Sequence, residues 1–338
     1  MLSKQITIDD RIIGQDRSPY IIAEAGSNFS QDLDIAKRLV EVAAQSGADA
    51  VKFQLFRADV LYPNRDGLYE TFKSIELNPD WVAVLNEYAR ECGVTFFASA
   101  FDPRSVDVLA DVGVAAYKIA SSETANLPLL HYIAAKGSPL LISTGMCDMV
   151  DIHEAISVCI GSGNTDVALM QCGAMYPLPL EYVNLRTITT LGQVFDCPVG
   201  FSDHTLSYAS AITAVGLGAT IFEKHFTLDR TMEGPDHFYA LEPDELKHYV
   251  KTIQEGYQSL GTPIKDMLHE ERLHGRREGL YASRDLKSGE ILTEEDLVTK
   301  RPAIGLRARY RSVACGAELV ASVGTDEPIL WEHLKFAE

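Results

Sequence analysis

Eight short, almost continuously apolar runs recur along the first 226 residues, and this repetition restricts the chain to very few architectures. They are YIIAEAG (20–26), AVKFQ (50–54), VTFFASA (94–100), AAYKIAS (115–121), PLLISTG (139–145), VALMQCG (167–173), CPVGFSD (197–203) and ATIFEKHF (219–226). Such runs suit strands buried on both faces, as in a parallel sheet. Between them lie stretches with apolar residues at three- and four-residue steps. Examples are LDIAKRLVEVAAQSG (33–47), PDWVAVLNEYARECG (79–93) and EPDELKHYVKTIQEGYQSLG (242–261). Gly47 suits the stop of the first of these helices. Eight such units over about 260 residues have the count and size of an α/β TIM (β/α)8 barrel. A doubly wound open sheet would also alternate, but no GxGxxG follows the first strand and eight units favour closure.

The pattern changes after Gly261. The expected organisation is a barrel over 1–261, a polar linker over 262–278, and a small β-rich module over 279–338. About 60 residues make a marginal independent core, so the module is expected to lean on the barrel or on a second subunit.

Charge narrows the partners. Thirty basic against 48 acidic residues give a net −18, which argues against nucleic acid or an anionic membrane as partner. Any anionic substrate must therefore be drawn in by local lysines and arginines. Six cysteines without a CxxC pair, most in apolar runs, read as reduced thiols of a cytoplasmic protein. No signal peptide or membrane-spanning run is expected.

In such barrels the chemistry gathers beyond the C-terminal ends of the strands. Glu24 falls at the end of the first strand and Lys52 and Gln54 share one face of the second. Lys118 lies in the fourth, with Ser121 and Glu123 just beyond. Ser143 and Thr144 end the fifth, Ser202 and His204 follow the seventh, and Glu223 and His225 close the eighth. Neighbouring last strands would bring His204 and His225 together at one mouth. Two neutral imidazoles beside carboxylates can hold a divalent ion with positions open for water and substrate, or each can simply cap a loop. Mn2+ or Mg2+ would tolerate so sparse a set better than structural zinc does. Lys52 and Lys118, with Ser121, Ser143 and Thr144 nearby, read as a phosphate or carboxylate cradle. Glu24 and Glu123 are either partners of those lysines or acid–base groups tuned by them.

The motifs IIAEAG, GADAVKFQ, YKIASSE, NLPLL, STGM, PVGFSDHTL, EKHFTLDRTMEGPDH and the late KRP, in this order, resemble the sialic acid (N-acetylneuraminate) synthase family, legionaminic and pseudaminic acid synthases included. The last 60 residues or so resemble that family's antifreeze-like (SAF) domain. The resemblance implies condensation of phosphoenolpyruvate with an open-chain N-acyl amino sugar, giving a nine-carbon 3-deoxy keto sugar acid and phosphate. It implies a divalent metal held by His204 and His225, Mn2+ foremost, with Mg2+ and Co2+ as alternatives. It matches Lys52, Lys118, Ser121, Ser143, Tyr176 and Ser202 to phosphoenolpyruvate binding. Glu123 matches the carboxylate that deprotonates the attacking water, and Glu24 joins it as a catalytic group. Gln54, Asp236 and Arg301 match the sugar side. Arg301 would reach the barrel of a second subunit, which implies a domain-swapped homodimer.

The chain departs from the family pattern at Phe29, where a histidine is usual, at Gly173 and Ala174 after the cysteine, and at Ala303 after the late Arg-Pro. These departures are expected to alter the sugar side and part of the phosphoenolpyruvate site. The acceptor is read as N-acetylmannosamine or a relative, the alternative being a 2,4-diacetamido-2,4,6-trideoxy hexose. A homologue that binds without turnover would not need the metal, lysine and Glu123 set. A plain metal-dependent hydrolase would leave the lysines unexplained.

Overall fold

The structure is a computed structural model that describes residues 1–63, 67–274 and 276–336. The chain divides into two compact units, Met1–Gly261 and Thr262–Glu338.

The first unit opens with a hairpin, β1 (Gln5–Ile8) and β2 (Arg11–Gly14). Eight parallel strands follow: β3 (Tyr20–Gly26), β4 (Ala50–Leu55), β5 (Thr95–Ala100), β6 (Tyr117–Ile119), β7 (Leu140–Ser143), β8 (Val167–Cys172), β9 (Val199–Asp203) and β10 (Ile221–His225). They pair in chain order, and β10 closes on β3. The expected (β/α)8 barrel is therefore the observed fold.

Local signals start and stop the helices between the strands. Asp32 caps Leu33–Ser46 by accepting from the Asp34 and Ile35 amides, and Gly47 ends it at φ 82°. Asp102 caps Pro103–Asp111 in the same way, with proline in the first turn. The apolar faces of these helices cover the outer side of the barrel in one large cluster that includes Leu39, Val51, Phe96, Leu109 and Tyr249.

A second cluster fills the barrel's lower end, where Ile22, Ala50, Phe97, Leu141, Met170 and Ile221 meet Ile6, Ile8 and Ile13 of the hairpin. The hairpin thus stops the N-terminal end with apolar side chains. Strand periodicity then decides what lies above. Two residues further along each strand the inward side chain turns polar: Ile22 gives way to Glu24, Ala50 to Lys52, Phe97 to Ser99, Ala116 to Lys118, Leu141 to Ser143 and Ile221 to Glu223.

The second unit pairs Gly279–Ala282 with Leu297–Lys300 and Glu318–Leu319 with Leu334–Lys335, both antiparallel. It has an apolar cluster of its own around Leu280, Leu297, Leu306, Leu319 and Ile329. The stretch expected as linker carries a short helix, His269–His274. Among the described residues no helix is long and apolar enough to cross a membrane.

Candidate active site

The polar layer lines a cavity of about 250 Å3 above the apolar plug. Parallel register brings residues distant in sequence level with one another: His225 with Glu24, Glu24 with Lys52, Ser99 with Lys118, and Glu223 with Ser202.

Its floor is a buried charge network. Lys52 Nζ lies 2.9 Å from Glu24 Oε2 and 3.7 Å from Glu223 Oε1, and Lys118 Nζ lies 3.7 Å from that same Glu223 oxygen. Lys52 also donates to Ser99 Oγ at 3.0 Å and Lys118 to Ser143 Oγ at 2.7 Å. Ser202 Oγ donates to Glu223 at 3.2 Å and Gln54 Nε2 to Glu24 Oε1 at 3.0 Å. Burial works against charge on both lysines, but the carboxylates of Glu223 and Glu24 raise the Lys52 pKa, whereas Lys118 stays lowered. Burial favours the acid form of Glu223 too, yet the two lysines outweigh it and hold its pKa down.

Glu24 behaves oppositely. Burial pushes its pKa up to about 7 against the pull of Lys52, with Glu223 adding to the rise. A carboxyl raised from 4.5 to about 7 contributes stability fully below about pH 4.5 and loses it as pH rises through about 7. Glu24→Gln should therefore flatten the fall in stability over that window. Urea melts of both proteins across it provide the check, and parallel curves would remove Glu24 as its source.

At the rim the two imidazoles meet, their ring centroids 5.5 Å apart. His204 Nδ1 lies 2.7 Å from the Gly173 carbonyl oxygen, which can only accept, so Nδ1 carries the proton and Nε2 offers its lone pair. Burial disfavours charge on His204, but the Cys172 sulfur at 3.8 Å and the Gly173 carbonyl outweigh it and raise the pKa. Burial and the neighbouring cations keep His225 far below its usual range, hence neutral. Its Nδ1 is buried without a hydrogen-bond partner, 4.0 Å from Asp236 Oδ2. Tyr176 lies against His204 with ring centroids 4.2 Å apart and planes tilted by 35°, and meets His225 edge-on at 5.8 Å. Tyr239 donates to Asp236 Oδ1 at 2.7 Å.

These observations fit a divalent ion held by two imidazoles. Among the described residues no group of three or more His, Cys, Asp or Glu side chains is arranged around a common point for one. Such an ion would need oxygen ligands from water or substrate to complete its shell.

Most of the expected residues converge. Glu24, Lys52, Gln54, Lys118, Ser121, Ser143, Tyr176, Ser202, His204 and His225 all line the one cavity. Ser121 Oγ also accepts from the Gly145 amide at 3.0 Å. Glu123 follows Ser121 and Ser122, which line the cavity, but its own carboxylate is not among the lining groups; it accepts from Ser122 Oγ, and burial raises its pKa. Thr144 turns away, its hydroxyl donating to the Met170 carbonyl. Arg301 belongs to the second unit, exposed and 3.3 Å from Glu278.

Two expectations about the departures are corrected. Phe29 is fully buried outside the cavity, 6.3 Å from both Phe53 and Trp81, so it fills the helix layer and contacts no substrate space. Gly173 shapes the rim through its backbone, because a Cβ there would meet Leu178 at 2.5 Å while its carbonyl orients His204. Ala174 does line the cavity, and Ala303 packs in the second unit against Gly279.

Ser99, Glu223 and Cys172 are among the lining groups that carry no role in the sequence reading. Ser99 is visible only as the inward hydroxyl of an apolar run. Glu223 is the shared counter-charge of both lysines. Cys172 has its pKa lowered because His204, Lys118 and Ser121 outweigh burial.

A family model described as the NeuB family matches residues 39–265, and one for the SAF domain matches residues 277–335. The chain belongs to the NeuB family. Within the wider group of relatives it is 38% identical over 343 residues to the N,N′-diacetyllegionaminic acid synthase of Legionella pneumophila, covering 95% of this chain and 96% of that one. It is 35% identical over 307 residues to the human N-acetylneuraminate-9-phosphate synthase, covering 86% and 85%. The crystal structure of an N-acetylneuraminic acid synthetase from Leptospira borgpetersenii, in complex with citrate, superposes with a TM-score of 0.76 at 31% identity, covering 81% of this chain and 95% of that one. The NeuB barrel and the SAF domain account for both units.

Proposed function

We propose that the protein condenses phosphoenolpyruvate with an open-chain N-acyl amino sugar and releases phosphate. The observation that carries this reading is the pair of buried ammonium groups, Lys52 and Lys118, beneath two imidazoles in one cavity. A phosphate and a carboxylate on one small molecule match two cations flanked by the Ser99, Ser143 and Ser121 hydroxyls.

In the proposed reaction the lysines and serines anchor phosphoenolpyruvate with its third carbon toward the rim. That carbon uses its enol electron pair to form a bond to the sugar aldehyde carbon, and the aldehyde oxygen takes a proton. A divalent ion at His204 and His225, Mn2+ in this reading, would supply Lewis-acid polarisation of that aldehyde. Positive character then develops at the second carbon, water adds there, and Glu123 takes the water's proton. The adduct's hydroxyl oxygen then forms the keto carbonyl as the carbon–oxygen bond to phosphate breaks, and phosphate leaves with that electron pair and takes up the hydroxyl proton. Glu24, with a pKa near 7, is suited to exchanging a proton with the reacting ends.

Glu123→Gln should retain phosphoenolpyruvate affinity and slow turnover by about a hundredfold or more. Because the Glu123 carboxylate does not line the cavity, unchanged turnover would pass the role of base to Glu24.

For the acceptor, N-acetylmannosamine is one reading. The likeness to the Legionella synthase and the apolar lining from Phe101, Met146 and Ala174 favour a second, a 2,4-diacetamido-2,4,6-trideoxy hexose. Arg301 would contact the acyl group from a second subunit in a domain-swapped homodimer. Phosphate release from phosphoenolpyruvate with Mn2+, measured with each sugar, tests the proposal. Release with one sugar identifies the acceptor. Absence of release with every sugar, together with absence of phosphoenolpyruvate binding, would overturn it.

A further inference from the structure

Each rim histidine follows a charged residue, Asp203 before His204 and Lys224 before His225, and neither charge lines the cavity. Strand alternation turns both onto the outer side of the barrel, where they are direct partners across the β9–β10 ladder. Lys224 Nζ lies 3.4 Å from Asp203 Oδ2, with the two side chains 4% and 0% exposed.

The hydrogen bonds around this pair converge on one short piece of backbone. Asp203 Oδ1 accepts from the Thr205 amide at 2.8 Å, and its Oδ2 accepts from the Tyr249 hydroxyl at 3.1 Å and from Ser210 Oγ at 3.4 Å. Lys224 Nζ donates to the Thr205 carbonyl and sits 5.6 Å over the Tyr249 ring. His204 is therefore bracketed. The residue before it and the residue after it are both tied to Lys224, the residue that precedes His225. Buried ion pairs are often no more stabilising than apolar residues of the same volume, and their best-attested use is to fix register.

We propose that the Asp203–Lys224 pair positions the two imidazoles: it locks the turn carrying His204 against the strand carrying His225 and so sets the separation at which one ion can be shared. Asp203 and Lys224 act through the histidines and touch no substrate. The inference rests on the metal reading proposed above.

The test reads Mn2+ binding to the full chain directly, from loss of the free-ion paramagnetic resonance signal, with no turnover required. Replacing the pair together, Asp203→Asn with Lys224→Met, avoids stranding one buried charge. The expected result is a folded protein whose Mn2+ affinity falls about ten- to a hundredfold, the range for groups that orient metal ligands. Its phosphoenolpyruvate affinity in chelator should match that of the parent. Should the double variant not fold, Tyr249→Phe, which removes one donor to Asp203 and keeps the ring, should weaken Mn2+ binding in the same direction by a smaller factor. Leu109→Ala, in the helix Pro103–Asp111, serves as a control that lowers stability without touching the pair. A folded pair variant, or a Tyr249→Phe protein, that binds Mn2+ as tightly as the parent overturns the inference. So does an equal loss in Leu109→Ala. A parent protein that binds no Mn2+ would instead remove the metal reading and this inference with it, and phosphate release in chelator would then decide whether the condensation reading stands.

Discussion

His225→Ala is expected to abolish metal-supported turnover, by about a thousandfold or more, while the barrel still folds and still binds phosphoenolpyruvate. The ring sits at the last residue of β10 with its Nδ1 buried and without a partner. Burial and the nearby lysines hold it neutral, the form that ligates. With His204 alone remaining, no pair of imidazoles is left to share an ion. The lysine floor is built on β4 and β6 and does not depend on this side chain. Activity with Mn2+, together with phosphoenolpyruvate titrations in chelator, separates the two effects. Turnover that persists in the variant, or in the parent treated with EDTA, would end the assignment.

Glu223→Leu is expected to be the most destabilising single change at the site, at about 3–5 kcal/mol. One Glu223 oxygen lies 3.7 Å from both lysine ammonium groups, so its removal leaves two buried cations and only the Lys52–Glu24 contact of these ion pairs. Glu24 is a poor substitute, because burial already favours its protonated form. Phosphoenolpyruvate or inorganic phosphate should restore part of the loss by supplying negative charge to the folded state alone. Urea denaturation with and without phosphate provides the measurement. Unchanged stability in the variant would mean that Lys118 is already neutral in the free protein.

Much of this site could be read in the sequence because strand alternation is a strict rule. A lysine two residues beyond an inward apolar residue points into the same barrel, which makes Lys52 and Lys118 legible from the sequence. His204 and His225 followed from the adjacency of the last two strands. Pairing across the barrel left no such trace. Glu223 could be placed at a strand end, but its partners come from β4 and β6, far away in sequence, and only closure makes it their counter-charge. The hairpin leaves little trace in the sequence because four-residue strands carry too short an alternation to stand out. Phe29 follows β3, a position that suggests the substrate side, yet the loop turns its ring back among Phe53 and Trp81. Sequence position fixes which loop a residue is on and leaves open which way its side chain points.

The hairpin has a kinetic consequence. With Ile6, Ile8 and Ile13 sealing one end, the barrel is, among the described residues, a vessel closed at its base. In the proposed reaction the phosphate-bearing substrate lies against the lysines at the base and the sugar lies above it. The deeper ligand must then arrive first, and phosphate cannot escape until whatever lies above it has moved aside. Steady-state measurements should accordingly show compulsory order, with the sugar analogue that binds most tightly trapping phosphate behind it.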